Sequence, residues 1–142
     1  MTDSIQVIPL GGCGEFGLNL TCYRAGDELL AVDCGLMFPD DGMFGVDFVL
    51  PDFQYLREHR HALKAYVVTH GHEDHVGALA FALREAPAPV YATGFTLALI
   101  REKLREHGIG RDISLNPLSP RQPSQRPPRR GWSTFPAAVN RT

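Results

Sequence analysis

The stretch VVTHGHEDHVGAL, residues 67–79, places His70, His72, Asp74 and His75 within six positions, directly behind an apolar run of β-formers. Val67 and Val68 read as the end of a buried strand, and Thr69 as its last residue. His70 and His72 follow on a connecting loop, and Asp74 and His75 open the next helix. Four ligand-type side chains then fan out at a strand's C-terminal end, where α/β folds bind their ligands.

Imidazole and carboxylate are the donors expected of Zn²⁺, with Mn²⁺ as the competing ion. The neighbours Asp74 and His75 do not easily turn toward one ion together with His70 and His72. Two ions solve this, one on His70 and His72 and one on Asp74 and His75. Such ions, about 3.5–4 Å apart, share a hydroxide and clamp a phosphoryl or acyl centre. The bland alternative is a set of exposed loop histidines beside a helix-capping Asp74. It accounts for one histidine but not for the whole H-x-H-x-D-H spacing.

Outward from this stretch, strands alternate with helices, which predicts α/β layering. Strands are expected at Ile5–Leu10, Asn19–Arg24 and Glu28–Asp33, the last two joined by the hairpin turn AGD. A loop rich in Pro, Gly and Asp leads to a helix at Phe53–Leu63. A strand at Lys64–Thr69, a helix at Asp74–Glu85, a strand at Pro89–Ala92 and a helix at Phe95–His107 follow, with Gly108 as the helix stop. From Asn116 the chain turns Pro- and Arg-rich and loses periodicity, so residues 117–142 read as an irregular tail on a body of residues 1–116. An out-of-frame origin from about Pro123 is one reading of that tail, and truncation with a disordered end is the other.

Composition narrows the function classes. A chain of 142 residues is about one domain. No apolar run approaches the roughly 20 residues of a membrane span, and MTDSIQVIPL lacks the pattern of a signal peptide. Cys13, Cys22 and Cys34 are odd in number and lack CxxC spacing, which favours the reducing cytoplasm and argues against a cysteine zinc site. Through Asp112 there are 16 acidic and 9 basic residues, and beyond it five arginines and no acid. The body is therefore no basic glove for nucleic acid, and attraction for phosphate has to come from bound metal or from another part of the protein.

H-x-H-x-D-H is the signature of the metallo-β-lactamase superfamily, and the quoted stretch resembles it. IPLGGCGEFGLN, VDCGLMFPDDGMFGVDFVLPDFQYL and PVYATGFTLALIREKL narrow the likeness. Together they resemble the ribonuclease J family of the β-CASP branch, from about Ile5 to about Pro120. The resemblance implies an αββα sandwich, of which this chain would hold the N-terminal half, a mixed sheet with helices on one face. It implies metal ligation by His70, His72, Asp74 and His75, with Asp74 near the attacking hydroxide. Asp33 would stand behind the ligands, bonding an imidazole or nearby backbone. It implies RNA as substrate, cut from a 5′ end and internally, two zinc ions, and a homo-oligomer.

Glu73 has no metal role in this reading, and the loop of Gly11, Gly12, Gly14 and Gly17 lies near the site mouth. The family continues with a third histidine ligand, a bridging aspartate and a β-CASP domain, whereas no histidine follows His107 here. An incomplete, inactive fragment is the expectation. The competing readings are a superfamily hydrolase acting on a thioester or lactam, and a non-enzymatic truncated product.

Overall fold

The computed structural model describes residues 4–119. The expectations for the tail from residue 120 onward lie outside the described residues. Six strands form one mixed sheet in sequential order: β1 (Ile5–Gly11), β2 (Leu20–Ala25), β3 (Glu28–Val32), β4 (Leu63–Val67), β5 (Val90–Thr93) and β6 (Leu115–Leu118). β1, β2 and β3 are antiparallel, with Ala25 opposite Glu28 across the Gly26–Asp27 turn. β3 to β6 run parallel. Three crossovers step the same way across the sheet, through α1 (Gln54–Glu58), then α2 (Glu73–Val76) with α3 (Leu79–Glu85), then α4 (Gly94–Glu106). Crossovers of one hand that advance in one direction put all their helices on one face.

The core follows from that. Leu56 of α1, Val76 of α2, Leu79 and Leu83 of α3, and Leu97, Ile100 and Leu104 of α4 bury against Leu20, Cys22, Leu29, Tyr66 and Val90 of the sheet. The opposite face carries a smaller apolar cluster, Leu30, Ala65 and Val67 flanked by Tyr23, Val32, Tyr91 and Leu118, to which no described helix contributes. The half-sandwich with helices on one face is the arrangement found among the described residues.

Three expectations are corrected. The helix expected at Phe53–Leu63 stops at Glu58. The N–H of Leu29 already bonds the Ala62 carbonyl at 2.9 Å, so Ala62 and Leu63 serve the sheet instead. The helix expected at Asp74–Glu85 breaks into α2 and α3, because its carbonyls are claimed from elsewhere. His75 O accepts from Cys34 N at 2.8 Å and Asp74 O from Asn19 N at 3.2 Å, while Ala78 N donates to Cys34 O at 3.0 Å.

The third correction concerns the boundary at residue 116. The chain stays in the sheet through Leu118, with Ala92 opposite Pro117 and Thr93 opposite Leu118. Pro117 is tolerated because β6 is the edge strand among the described residues, where a missing N–H costs no ladder bond on the open side. Asn116 adds a side-chain bond from Nδ2 to the Val90 carbonyl at 3.3 Å. The expected end of α4 is found: Gly108 sits at φ +67°, and Ile109 N returns to the Leu104 carbonyl at 2.9 Å.

Candidate metal centre

The site lies at the C-terminal ends of β3 and β4. Asp33, one residue past β3, is buried at 7% exposure and adopts φ +59°, a left-handed conformation that Asp tolerates better than most side chains. Its Oδ1 accepts from the Thr69 backbone N–H at 2.7 Å, and both carboxylate oxygens lie 2.9 Å from the Thr69 hydroxyl. Its Oδ2 lies 2.8 Å from His75 Nδ1. A buried carboxylate accepts only, so Nδ1 carries a proton, and Nε2 is the nitrogen left to ligate when the ring is neutral. The Thr69 hydroxyl spends its single hydrogen on Asp33 and can accept from His70 Nδ1, 3.0 Å away. One carboxylate, directly and through one hydroxyl, thus sets the tautomers of two histidines.

The four donors fall into two pairs. His70 Nε2 faces His72 Nδ1 at 3.2 Å, and Asp74 Oδ2 faces His75 Nε2 at 3.3 Å. The His70 and His75 rings lie 4.0 Å apart between centroids, so the pairs adjoin. Two ligands about 2.05 Å from a tetrahedral zinc stand about 3.3 Å from each other, which is the spacing of both pairs. The donor chemistry fits as well. With Nδ1–H committed to Asp33, a neutral His75 turns its Nε2 lone pair toward the Asp74 carboxylate, so both present electron pairs to one point that a cation could take. Partial desolvation pushes the His70 imidazole below its usual value, and the neighbouring His75 and His72 rings push it the same way. That favours the neutral, ligating form. Among the described residues no group of three His, Cys, Asp or Glu side chains is arranged to hold one metal ion, so the candidate donors stand as two pairs.

The backbone that carries the donors is stitched to the loop after β3. Cys34 N bonds His75 O, Leu36 N bonds Glu73 O at 3.0 Å, and Gly35 N bonds Asn19 O at 2.9 Å. Gly35 allows this approach, since a β-carbon there would fall 1.6 Å from the Asp74 carbonyl oxygen and 2.0 Å from its carbon.

Three residues escaped the sequence reading. Thr69 links Asp33 to His70; its signal is a hydroxyl just ahead of the first histidine at a strand end. Asn19 brings Nδ2 to 2.9 Å from the Asp74 carbonyl and 3.4 Å from both Asp74 Oδ2 and His75 Nε2, and nothing in its spacing announces it. Glu73, given no metal role by the sequence, is paired with Lys103 of α4. His59 instead bonds its own helix turn through the Tyr55 carbonyl at 2.9 Å.

The chain is similar to several known proteins. Ribonuclease J of Thermus thermophilus is 51% identical over 112 residues, 75% of this chain and 20% of that protein. Ribonuclease J of Synechocystis is 45% identical over 122 residues, 85% of this chain and 19% of its own length. Ribonuclease J2 of Bacillus subtilis is 41% identical over 117 residues, 82% of this chain and 21% of its own. The chain thus spans about a fifth of the length of the curated relatives it matches. Among solved structures, Zn(2+)-bound PqqB from Methylobacterium extorquens shares the fold with a TM-score of 0.58 at 15% identity, over 86% of this chain and 48% of that one. The metallo-beta-lactamase fold protein YhfI from Bacillus subtilis does so with a TM-score of 0.52 at 19% identity, over 87% and 49%. Residues 14–137 match the family described as the metallo-beta-lactamase superfamily, a family of divalent-metal proteins, and with the helices gathered on one sheet face and the donors paired at the strand ends, the chain belongs to that superfamily.

Proposed function

We propose that this chain contributes the H-x-H-x-D-H loop of a two-zinc ribonuclease of the ribonuclease J type, which hydrolyses RNA phosphodiesters from a 5′ end and internally. The observation that carries the reading is the pairing of His70 with His72 and of Asp74 with His75 at ligand–ligand spacing, with Asp33 fixing the His75 tautomer. The names of relatives up to 51% identical supply the substrate class.

In this reading His70, His72, Asp74 and His75 hold the metal, with Mn²⁺ as the alternative to zinc. A divalent ion supplies Lewis acidity and a water acidic enough to be hydroxide near neutral pH. The chain's own part is to aim the donors. Asp33 keeps His75 Nε2 free, and Thr69 accepts from His70 Nδ1 and leaves its Nε2 free. Glu73 is held by Lys103 and does not act as the base. RNA is the partner, the intact protein is a homo-oligomer, and the cytoplasm is its place, which the unpaired cysteines support. Among the described residues no helix is long and apolar enough to cross a membrane.

The test is a chimera in which this segment replaces its counterpart in the Thermus thermophilus relative, assayed on end-labelled RNA. Chelator-sensitive cleavage is expected, lost on His72→Ala or Asp74→Ala, with residues 1–142 alone at background. Cleavage that survives Asp74→Ala, or strong cleavage by residues 1–142 alone, refutes the reading.

A further inference from the structure

Asn19 lies between β1 and β2, 55 residues from the loop it touches. Its backbone joins that loop on both sides, with N donating to Asp74 O at 3.2 Å and O accepting from Gly35 N at 2.9 Å. Its side-chain nitrogen donates one hydrogen to the same Asp74 carbonyl at 2.9 Å. The second hydrogen has two acceptors within reach, Asp74 Oδ2 and His75 Nε2, each 3.4 Å away. Those acceptors are 3.3 Å from each other, so the three atoms form a nearly equilateral triangle. Turning the amide over would set Oδ1 about where Nδ2 now is, against the Asp74 carbonyl oxygen, and two acceptors at that distance repel. The donor orientation is therefore the stable one.

We propose that Asn19 is the positioning residue of the Asp74–His75 pair: its amide holds the two donors converged before any ion arrives. Two acceptors with no hydrogen between them repel, and side chains 22% and 27% exposed, as those of His75 and Asp74 are, have room to turn apart toward solvent. The amide N–H supplies a partial positive charge between them and ties the Asp74 backbone to the β1–β2 turn. A cation entering the triangle then displaces one weak bond rather than having to gather two separate side chains. The remaining bond to the Asp74 carbonyl stays in place, so the helix start does not move when the pair is occupied.

The assignment rests on the metal reading above, and the experiment separates the two. In the metal-free 142-residue chain, the Asn19 side-chain amide hydrogens should be inequivalent and slow to exchange, and the His75 Nε2 resonance should carry the signature of an accepted hydrogen bond. Asn19→Leu, close in shape but without donors, should shift that Nε2 resonance and weaken binding of ZnCl₂ tenfold or more, the scale of losing a residue that orients a ligand. The far-UV circular dichroism should be unchanged. Asn19→Ser, smaller and too short to reach the pair, should reproduce the effect and guards against misfolding from shape alone. Amide hydrogens that exchange as fast as those of a surface asparagine overturn the proposal in the parent chain, without any variant. An unmoved His75 resonance in a folded Asn19→Leu overturns it as well. A chain that holds the amide and shifts His75 as described, yet binds no zinc, supports Asn19 as the positioning residue and refutes the metal reading alone.

Discussion

Replacing Asp33 by Asn separates the chemistry of the site from the stability of the fold. The substitution keeps an acceptor for the Thr69 backbone N–H, 2.7 Å from Oδ1, and Asn tolerates the φ of +59° as Asp does. At the other oxygen it puts an NH₂ donor where Oδ2 now lies 2.8 Å from His75 Nδ1. Two donors cannot face each other, so His75 must move its proton to Nε2, the nitrogen aimed at Asp74. The charge-assisted bond that is lost is worth about 1.5–3 kcal/mol. At about 1.4 kcal/mol per decade this weakens zinc binding roughly 10- to 100-fold.

The fold should lose only about 1 kcal/mol, because the reversed tautomer makes a neutral bond in place of the charged one. Asp33→Ala is the contrast. It strands the Thr69 N–H, at about 1–3 kcal/mol, and adds about 1–2 kcal/mol for an alanine in the left-handed region. The assays are urea unfolding for stability, isothermal titration for zinc, and ¹⁵N shifts of His75 for the tautomer. An Asp33→Asn variant that binds zinc as tightly as the parent, or whose His75 remains protonated at Nδ1, refutes the reasoning.

Residues 1–142 should bind zinc weakly. Four-ligand sites reach about 10–16 kcal/mol, so two ligands support about 5–8 kcal/mol, a Kd near 1 µM or weaker; nanomolar stoichiometric binding would contradict the paired-ligand geometry. Gly35→Ala should cost about 3 kcal/mol or more in urea unfolding, at or beyond the upper end of overpacking losses, because the new β-carbon meets backbone rather than a mobile side chain. A loss below about 1 kcal/mol would show that the stitched loops can separate freely. Thiol titration of the folded chain should find one fast group, exposed Cys13. Burial pushes the Cys22 thiol up to about 12 and raises Cys34 as well, so both should react only on unfolding, and three equivalents reacting at one rate would disprove their burial.

What could be read from the sequence was local. The Gly26–Asp27 turn, the period of α4 with its Gly108 stop, and the alternation of strand and helix each lie within a few neighbouring positions. So does the motif, whose two pairs face each other within two residues or one. The alternation announced only α/β layering; the half-sandwich was expected from the family resemblance, and the sequential crossovers of one hand are the physical reason the structure has it. β6 was not legible, since Asn116 and Pro117 look like a loop until β5 supplies a neighbour for the edge.

The break between α2 and α3 has a different cause, and it explains why Asn19 and Lys103 went unseen. Residues 73–85 have helical spacing, and nothing inside them forbids one continuous helix. The competing donors, Asn19, Cys34 and Leu36, lie 37 to 55 residues earlier in the chain and claim the carbonyls of Glu73, Asp74 and His75 with their own N–H groups. Lys103, 30 residues later, takes the Glu73 carboxylate in the same way. Periodicity reports which face of a segment is buried, but not which carbonyls a distant loop will occupy. A site whose ligands are adjacent in sequence can therefore announce its donors through their spacing, while the groups that aim those donors come from other strands and emerge only when the sheet has brought the loops together.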